Sequence, residues 1–337
     1  MIRFFLFFLF LFCGAGCSEQ SKGSVILLKN LKGIHTHCFG RHQLDLPADF
    51  FQADGLTATF APPGLTDSDG AVNVEVVKSA ITEEKFGLQV LARRAKILSA
   101  ASSTTGVLKN ERRIDSQAHL FTIQAIDDAY STELHFILEG TYVVLTTPSY
   151  DNQFSVAERR VIELWRNFEK TASANLASSY CLGELSVRGK FAEEHADFSY
   201  RSVKLPDVKI SIETNTYSRD ERRSLLERMD GQGSLLKKFD AKNKVIRKGE
   251  LDVASMKAQE WLSWIILGED DNKKKQYGFA LETRRAVPSP LQPQLHVELD
   301  TAQPSSDGVV HETTLTEMEI IGLWDFVTRS IRTPTLR

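Results

Sequence analysis

Alternating apolar and polar positions begin each half of the chain in the same way. One segment, CFGRHQLDLP, starts at Cys38, and the other, CLGELSVRG, starts at Cys181. In both segments apolar residues recur at every second position, a period of two that predicts a strand with one buried face. Both segments open with Cys-apolar-Gly, at Gly40 and Gly183. We therefore expect these cysteines and glycines to belong to a repeated structural unit.

Both halves also end in an amphipathic helix. The stretches SVAERRVIELWRNFEK and TLTEMEIIGLWDFVTR align on Trp165 and Trp324, and their apolar residues recur with a helical period. This spacing places both tryptophans on the buried face of a helix, so we interpret them as core residues. Each stretch begins with Ser/Thr-x-x-Glu, the pattern of a capping box at a helix start. The predicted capping pairs are Ser155 with Glu158 and Thr314 with Glu317.

The segments between these ends predict one structural plan used twice. A helical stretch in each half, KFGLQVLARRAKIL and DERRSLLERMDG, precedes segments with the period of half-buried antiparallel strands. Strands packed on segregated helices form the α+β class. We predict two tandem, duplicated α+β domains, each with antiparallel strands and a closing amphipathic helix. The predicted N-terminal domain spans residues 34–173 and the C-terminal domain spans residues 174–337.

The first residues, MIRFFLFFLFLFCGAGCSEQ, have the order of a secretory signal: one basic residue, an apolar run and small residues. The run is shorter than the roughly 20 apolar residues that span a bilayer as a helix. Gly-Ala-Gly-Cys resembles the lipobox of bacterial lipoproteins, which implies a signal peptide over residues 1–16, lipidation of Cys17 and a tether over residues 17–33. Because Ser18 rather than Asp follows the cysteine, the resemblance implies a periplasmic protein anchored to the outer membrane. An ordinary cleaved signal with a chance cysteine is the alternative.

Charge and motifs argue against several classes of function. The chain has 41 basic and 44 acidic residues, a formal net charge of −3 and no dense basic block, which argues against nucleic-acid binding. The sequence contains no Gly-x-Ser-x-Gly elbow, no His-Glu-x-x-His, no phosphate loop and no dinucleotide fingerprint. We therefore predict a binding protein without cofactors, and not an enzyme. A hydrolase with a scattered catalytic triad is the enzymatic alternative.

Histidines and a cysteine cluster near the first predicted strand. His35, His37 and His42 surround Cys38, but no histidines surround Cys181. We therefore interpret the histidines as surface residues and predict no metal site, since zinc needs about four ligands. In an oxidising compartment the two cysteines could form a disulfide bond between the domains, worth roughly 4–5 kcal/mol by the chain-entropy estimate. Two buried free thiols are the alternative.

The densest charge cluster in the chain is GEDDNKKKQ. Exposed loops on a rigid scaffold often carry binding residues, so this segment is a candidate partner-binding loop. A solvated hairpin tip without a partner is the alternative. The candidate partner-binding residues are Glu269, Asp270, Asp271, Lys273, Lys274 and Lys275.

The segment CFGRHQLDLPADF resembles the N-terminal signature of the immunity proteins cognate to type VI secretion lipase effectors. The matching residues are Cys38, Gly40, Arg41, Leu46 and Pro47, and the second half is similar through YCLGEL and LTEMEIIGLWDFVTRSIR. The resemblance covers nearly all of the chain after the predicted tether. It implies a periplasmic protein that binds a secreted phospholipase and inhibits it sterically, as a two-lobed clamp. A non-catalytic envelope lipoprotein that scaffolds an assembly is the competing hypothesis.

Overall fold

The structure is a computed structural model that describes residues 33–62, 70–100, 106–217, 223–230, 243–267, 274–284, 288–302 and 312–334. No helix in these ranges is long and apolar enough to cross a membrane. The helices are α1 (Glu83–Ala100), α2 (Phe154–Trp165), α3 (Leu225–Asp230) and α4 (Glu317–Ser330). The strands of the first half are β1 (Ile34–Phe39), β2 (His42–Pro47), β3 (Phe50–Gln52), β4 (Leu56–Ala61), β5 (Val72–Lys78), β6 (Val107–Arg113), β7 (Ala118–Ile126), β8 (Ala129–Leu138), β9 (Thr141–Tyr150) and β10 (Phe168–Lys170). The strands of the second half are β11 (Ser179–Leu182), β12 (Leu185–Arg188), β13 (Glu193–Ser202), β14 (Lys209–Asn215), β15 (Asn243–Val253), β16 (Met256–Leu267), β17 (Lys274–Thr283) and β18 (Gln294–Asp300).

A 13-stranded sheet runs through both halves of the chain. Its order is β15-β16-β17-β18-β14-β13-β4-β5-β9-β8-β7-β6, and β3 also pairs with β13. The pair formed by β4 and β13 joins the first half to the second. The described strand pairs are antiparallel from one edge to the other. The predicted α+β class with antiparallel strands is therefore confirmed.

Two β-hairpins lie at the positions marked by Cys-apolar-Gly. Strands β1 and β2 turn at Gly40 and Arg41, and strands β11 and β12 turn at Gly183 and Glu184. Both glycines have positive φ, 55° and 84°, a conformation that a side chain would strain. The first turn also pairs with the second hairpin, because the backbone of Gly40 exchanges two hydrogen bonds with that of Cys181. The repeated motif is therefore part of the fold, as the sequence indicated.

Helices α2 and α4 cover one face of the sheet and form the main core. Trp324 of α4 is fully buried and meets Phe279 of β17 edge-on, with 5.8 Å between the ring centroids. Trp165 of α2 is half-buried and packs against Phe136 of β8 at 6.5 Å. Both tryptophans are core residues, as their helical spacing predicts.

Both predicted helix starts are wrong. Helix α2 begins after Gln153 without a side-chain cap, and Glu158 instead accepts hydrogen bonds from two strand side chains of the sheet. Helix α4 begins after Thr316, which forms a capping box with Glu319. The chain carries two overlapping Thr-x-x-Glu patterns at this point, so the pattern alone does not select the one that starts the helix.

The opposite face of the sheet carries α1 and α3. Helix α1 covers the outer strands of the first half with three buried side chains, Phe86, Val90 and Ile97. Leu91 of the same helix is exposed, because its side chain points away from the sheet. The helix predicted in the second half from DERRSLLERMDG is described only over α3.

Candidate partner-binding site

The two hairpins are covalently linked. Cys38 and Cys181 form a disulfide bond, with their α-carbons 5.9 Å apart. The bond joins residues that are 143 positions apart in the sequence. It connects the first strand of one half to the first strand of the other, so the structure has the disulfide bond rather than two free thiols.

A buried ion pair also connects the halves. Arg41, in the first hairpin turn, is 7% exposed, and Glu194, on β13, is 1% exposed. The Nε atom of Arg41 donates to a carboxylate oxygen of Glu194 at 2.9 Å, and its Nη2 donates to the carbonyl of Gly189 at 2.9 Å. Removal of one partner would leave the other charge buried and unpaired, which typically costs about 3–5 kcal/mol. No local motif marks Glu194, because its partner Arg41 lies 153 residues away in the sequence.

The histidines near Cys38 occupy three different environments. His42 is fully buried and stacks on Phe39, with 5.8 Å between ring centroids. Neither of its ring nitrogens has a hydrogen-bond partner among the described residues, and burial lowers the pKa of His42 to about 4. His37 is half-buried against Tyr200, and His35 is exposed. The interpretation of all three as surface residues is wrong for His42, because the hairpin directs this side chain into the core.

Of the six candidate loop residues, the structure describes two. Lys274 and Lys275 are the first residues of β17. The ammonium nitrogen of Lys275 lies 2.6 Å from the hydroxyl of Tyr277 and 3.2 Å from the carboxylate of Glu317. These contacts engage Lys275 within the molecule. The other four candidates, Glu269, Asp270, Asp271 and Lys273, lie outside the described residues.

A polar surface lies between α1 and α3 on the central strands. Side chains that face each other across antiparallel strands share one face of the sheet. The strand registers form one such row across β4, β13, β14, β18 and β17. The residues of this row are half-buried or exposed and are called the central polar strip: Thr57, Asp197, Glu213, His296 and Glu282.

One group that includes two residues of this strip has the geometry of a metal-ligand set. The ligand atoms of His195, Asp197 and Glu213 all lie within 4.8 Å of one another, the one such group among the residues that the structure describes. The Nε2 atom of His195 lies 3.2 Å from a carboxylate oxygen of Glu213. The hydrogen bond with His195 lowers the pKa of Glu213 to about 2. His195 and Glu213 thus already satisfy each other as a histidine–carboxylate pair.

A cavity of about 820 Å³ lies between α3 and strands β16, β17 and β18, at the second-half end of the central polar strip. This volume is within the range of ligand-binding pockets. Its walls combine apolar side chains of α3 with charged side chains of the sheet. Residues that line it include Leu225, Trp261, Glu282, His296, Glu298 and Asp300.

Charged groups alternate along the floor of this cavity. His296 lies between Glu282 and Glu298, with 2.9 Å between a ring nitrogen and a carboxylate oxygen on each side. Burial alone would lower the pKa of His296, but these hydrogen bonds raise it to about 10. Arg228 of α3 forms an ion pair with Glu282 from the helix side of the cavity. The cavity thus contains two internal cations that are both held by its own carboxylates.

Residues 177–334 match the family model described as the Tle cognate immunity protein 4 C-terminal domain. This segment, just under half of the chain, is similar to that family. The match confirms the resemblance to immunity proteins of type VI secretion lipase effectors that the sequence motifs indicate. No curated protein matches the chain.

Solved immunity proteins share the fold over most of the chain. The apo structure of the immunity protein TplEi of the type VI secretion system from Pseudomonas aeruginosa is 19% identical, with a TM-score of 0.65, and the match covers 90% of this chain and 97% of that one. TplEi complexed with the "L" peptide is 22% identical, with a TM-score of 0.60, over 90% and 99% of the two chains. A chain of the Tle4–Tli4 complex is 21% identical, with a TM-score of 0.64, over 90% and 98%. At these identities the likeness shows a common fold.

Proposed function

We propose that the chain is an immunity protein that binds a type VI secretion lipase effector and inhibits it. The observation that carries the proposal is the match of residues 177–334 to the Tle cognate immunity protein 4 C-terminal domain family. The fold likeness to a chain of the Tle4–Tli4 complex, over 90% of this chain, supports the same partner class. The partner is therefore a protein, and neither a nucleic acid nor a cofactor is needed.

Inhibition is steric, so the chain acts by binding and not as an enzyme. Several links hold the two halves together: the β4–β13 pair, the disulfide bond, and the ion pairs of Arg41 with Glu194 and of Arg332 with Asp45. A preorganised body loses less conformational entropy on binding than a flexible one. We infer that the halves act together as a two-lobed clamp, with the central polar strip toward the effector.

We also infer that the two halves are duplicated α+β domains, over residues 34–173 and 174–337. The sheet order β4-β5-β9-β8-β7-β6 of the first half corresponds, strand by strand, to β13-β14-β18-β17-β16-β15 of the second. Equivalent ion pairs support this inference. Arg93 of α1 pairs with Glu133 of β8, and Arg228 of α3 pairs with Glu282 of the corresponding β17.

The protective role can be tested in cells that export the cognate lipase effector to their periplasm. Cells that also make this chain should keep growing, because the effector is captured where it would attack phospholipids. Cells that make the chain without residues 1–16 should lyse, because the inhibitor stays in another compartment. Lysis in both cases would contradict the proposal and favour the scaffold hypothesis.

We propose that the chain lies in the periplasm, anchored to the outer membrane through a lipid on Cys17. The order of basic, apolar and small residues at the chain start supports this location. The disulfide bond supports it too, because such bonds persist in oxidising compartments. Cys17→Ala should move the chain from the membrane to the soluble fraction, whereas Cys13→Ala, inside the predicted signal, should leave it anchored. Unchanged fractionation of Cys17→Ala would contradict lipidation.

A further inference from the structure

We propose that the cavity between α3 and the sheet receives a lysine or arginine side chain from a segment of the effector, an inference that rests on the proposed function. The cavity lies at the end of the central polar strip, so a segment that crosses the strip would reach it. Its volume of about 820 Å³ has room for a long side chain together with the adjoining backbone.

A carboxylate without a direct partner among the described residues supplies the charge that would attract such a side chain. Asp300 ends β18 on the cavity side of the sheet and is half-buried. Its carboxylate has no ion-pair or hydrogen-bond partner among the described residues. Lys209, which lies opposite Asp300 in the strand register, and His296 attract this carboxylate without a direct contact. Burial and the nearby charge of Glu298 raise the pKa of Asp300 to about 6. A cation from a partner would provide a direct ion pair for Asp300.

An unpaired indole N–H supplies a second, independent feature. Trp261 is 4% exposed, lines the cavity, and its Nε1 atom has no hydrogen-bond partner among the described residues. Trp261 lies opposite Ala280 in the strand register, so both side chains are on the cavity side of the sheet. Buried donors without an acceptor are rare because they are unfavourable. A backbone carbonyl of an entering peptide segment would accept this N–H.

The other residues that line the cavity favour the binding of a cation over the binding of an anion. His296 and Arg228 are both engaged by Glu282, so neither is free to bind an anionic ligand. Arg223 is exposed at the rim, where water and salt screen its charge. The aliphatic stem of lysine or arginine can pack on apolar surface while its charged end reaches a carboxylate. The apolar walls of the cavity are formed by Leu225, Met229 and Ile265.

Titration of the full chain with its cognate effector tests this inference. Asp300→Asn should weaken the dissociation constant about tenfold or more, because loss of one partner of a half-buried charge pair acts mainly on the dissociation rate. Trp261→Phe should weaken binding several-fold by removing the indole donor. Asp252→Asn is the matched control, since Asp252 is exposed on β15 and pairs with Lys257 at the surface; this variant should bind as the wild type does.

Thermal unfolding and a charge-reversal variant distinguish the loss of a binding contact from the loss of the folded structure. Asp300→Asn removes the repulsion with Glu298, so the variant should unfold at the wild-type temperature or above it. Asp300→Lys should weaken binding more than Asp300→Asn does. Wild-type affinity of Asp300→Asn, or tighter binding by Asp300→Lys, would overturn the inference and leave the proposed function intact. Failure of the wild-type chain itself to bind the effector would instead overturn the proposed function.

Discussion

At the scale of single residues, the buried His42 makes the stability of the folded state depend on pH. Its ring is fully buried, stacks on Phe39 and has no hydrogen-bond partner among the described residues. A protonated His42 would be an unpaired cation in an apolar site, which is why burial lowers its pKa from 6.5 to about 4. The folded state therefore needs the neutral imidazole, whereas the unfolded chain can bind a proton below pH 6.5.

His42→Leu should become more stable relative to the wild type as the pH falls from 6.5 to 4. In that window the unfolded wild-type chain gains a proton that the folded chain does not, so its free energy of unfolding drops by about 3 kcal/mol relative to the variant. Urea unfolding of both proteins at several pH values measures this difference.

The comparison with a variant is necessary because Asp300 acts in the opposite sense. Its raised pKa of about 6 makes the folded state bind a proton first as the pH falls, which stabilises the fold in the same window. The difference between two proteins that share Asp300 cancels this contribution. His35→Leu, at an exposed position, is the control and should follow the wild type; a stability difference for His42→Leu that does not change with pH would contradict the account.

At the scale of elements, the two long helices that cover the core start differently. The hydroxyl of Thr316 accepts a hydrogen bond from the backbone of Glu319, whose carboxylate accepts from the backbone of Thr316 at 2.9 Å. The start of α2 has no such side-chain bond. Of these two helices, α4 depends on a capping side chain and α2 does not.

Thr316→Ala should lower the free energy of unfolding by about 1 kcal/mol, because free amides at the helix start lose their acceptor. Ser155→Ala should change it by less than about 0.5 kcal/mol, as for most surface substitutions. Chemical denaturation of the two variants measures both values. Equal losses in the two would contradict the assigned helix starts.

Alternation along the sequence predicted strands that bury one face more than the other. The segment QLHVELD, for example, is β18, whose residues are alternately half-buried and buried. The strands β3 and β10, of three residues each, are too short to show a period. Helical spacing predicted α1, α2 and α4, but the first residues of α2 and α4 depend on which polar groups the folded sheet presents, and Glu158 bonds to the sheet instead of capping.

The candidate site was harder to predict than the fold because its parts meet only in the sheet. Trp261 and Asp300 come from strands that pairing with β17 brings together. The ion pair of Arg41 and Glu194 likewise joins a hairpin turn to a strand of the other half. Such contacts have no local period or spacing, so a single sequence does not contain the signal that would locate them.

At the scale of the whole molecule, a disulfide bond holds together two halves that already share one sheet. The closed loop has a sequence separation of 143 residues, so the bond strongly restricts the unfolded chain. The double variant Cys38→Ser and Cys181→Ser should lose up to about 4–5 kcal/mol of unfolding free energy. Thermal unfolding with and without a reductant measures this, and the double variant should not respond to the reductant. A wild-type midpoint that the reductant leaves unchanged would contradict a stabilising role for the bond.

The central claim is inhibition of a lipase effector, and the most direct test measures that lipase. The chain without residues 1–16 is titrated into the lipase effector encoded beside its gene, while phospholipid hydrolysis is followed. Hydrolysis should fall in proportion to the added chain and stop at a fixed stoichiometry, with a stable complex of the two proteins. Full lipase activity in the presence of excess chain, with no complex, would contradict this claim.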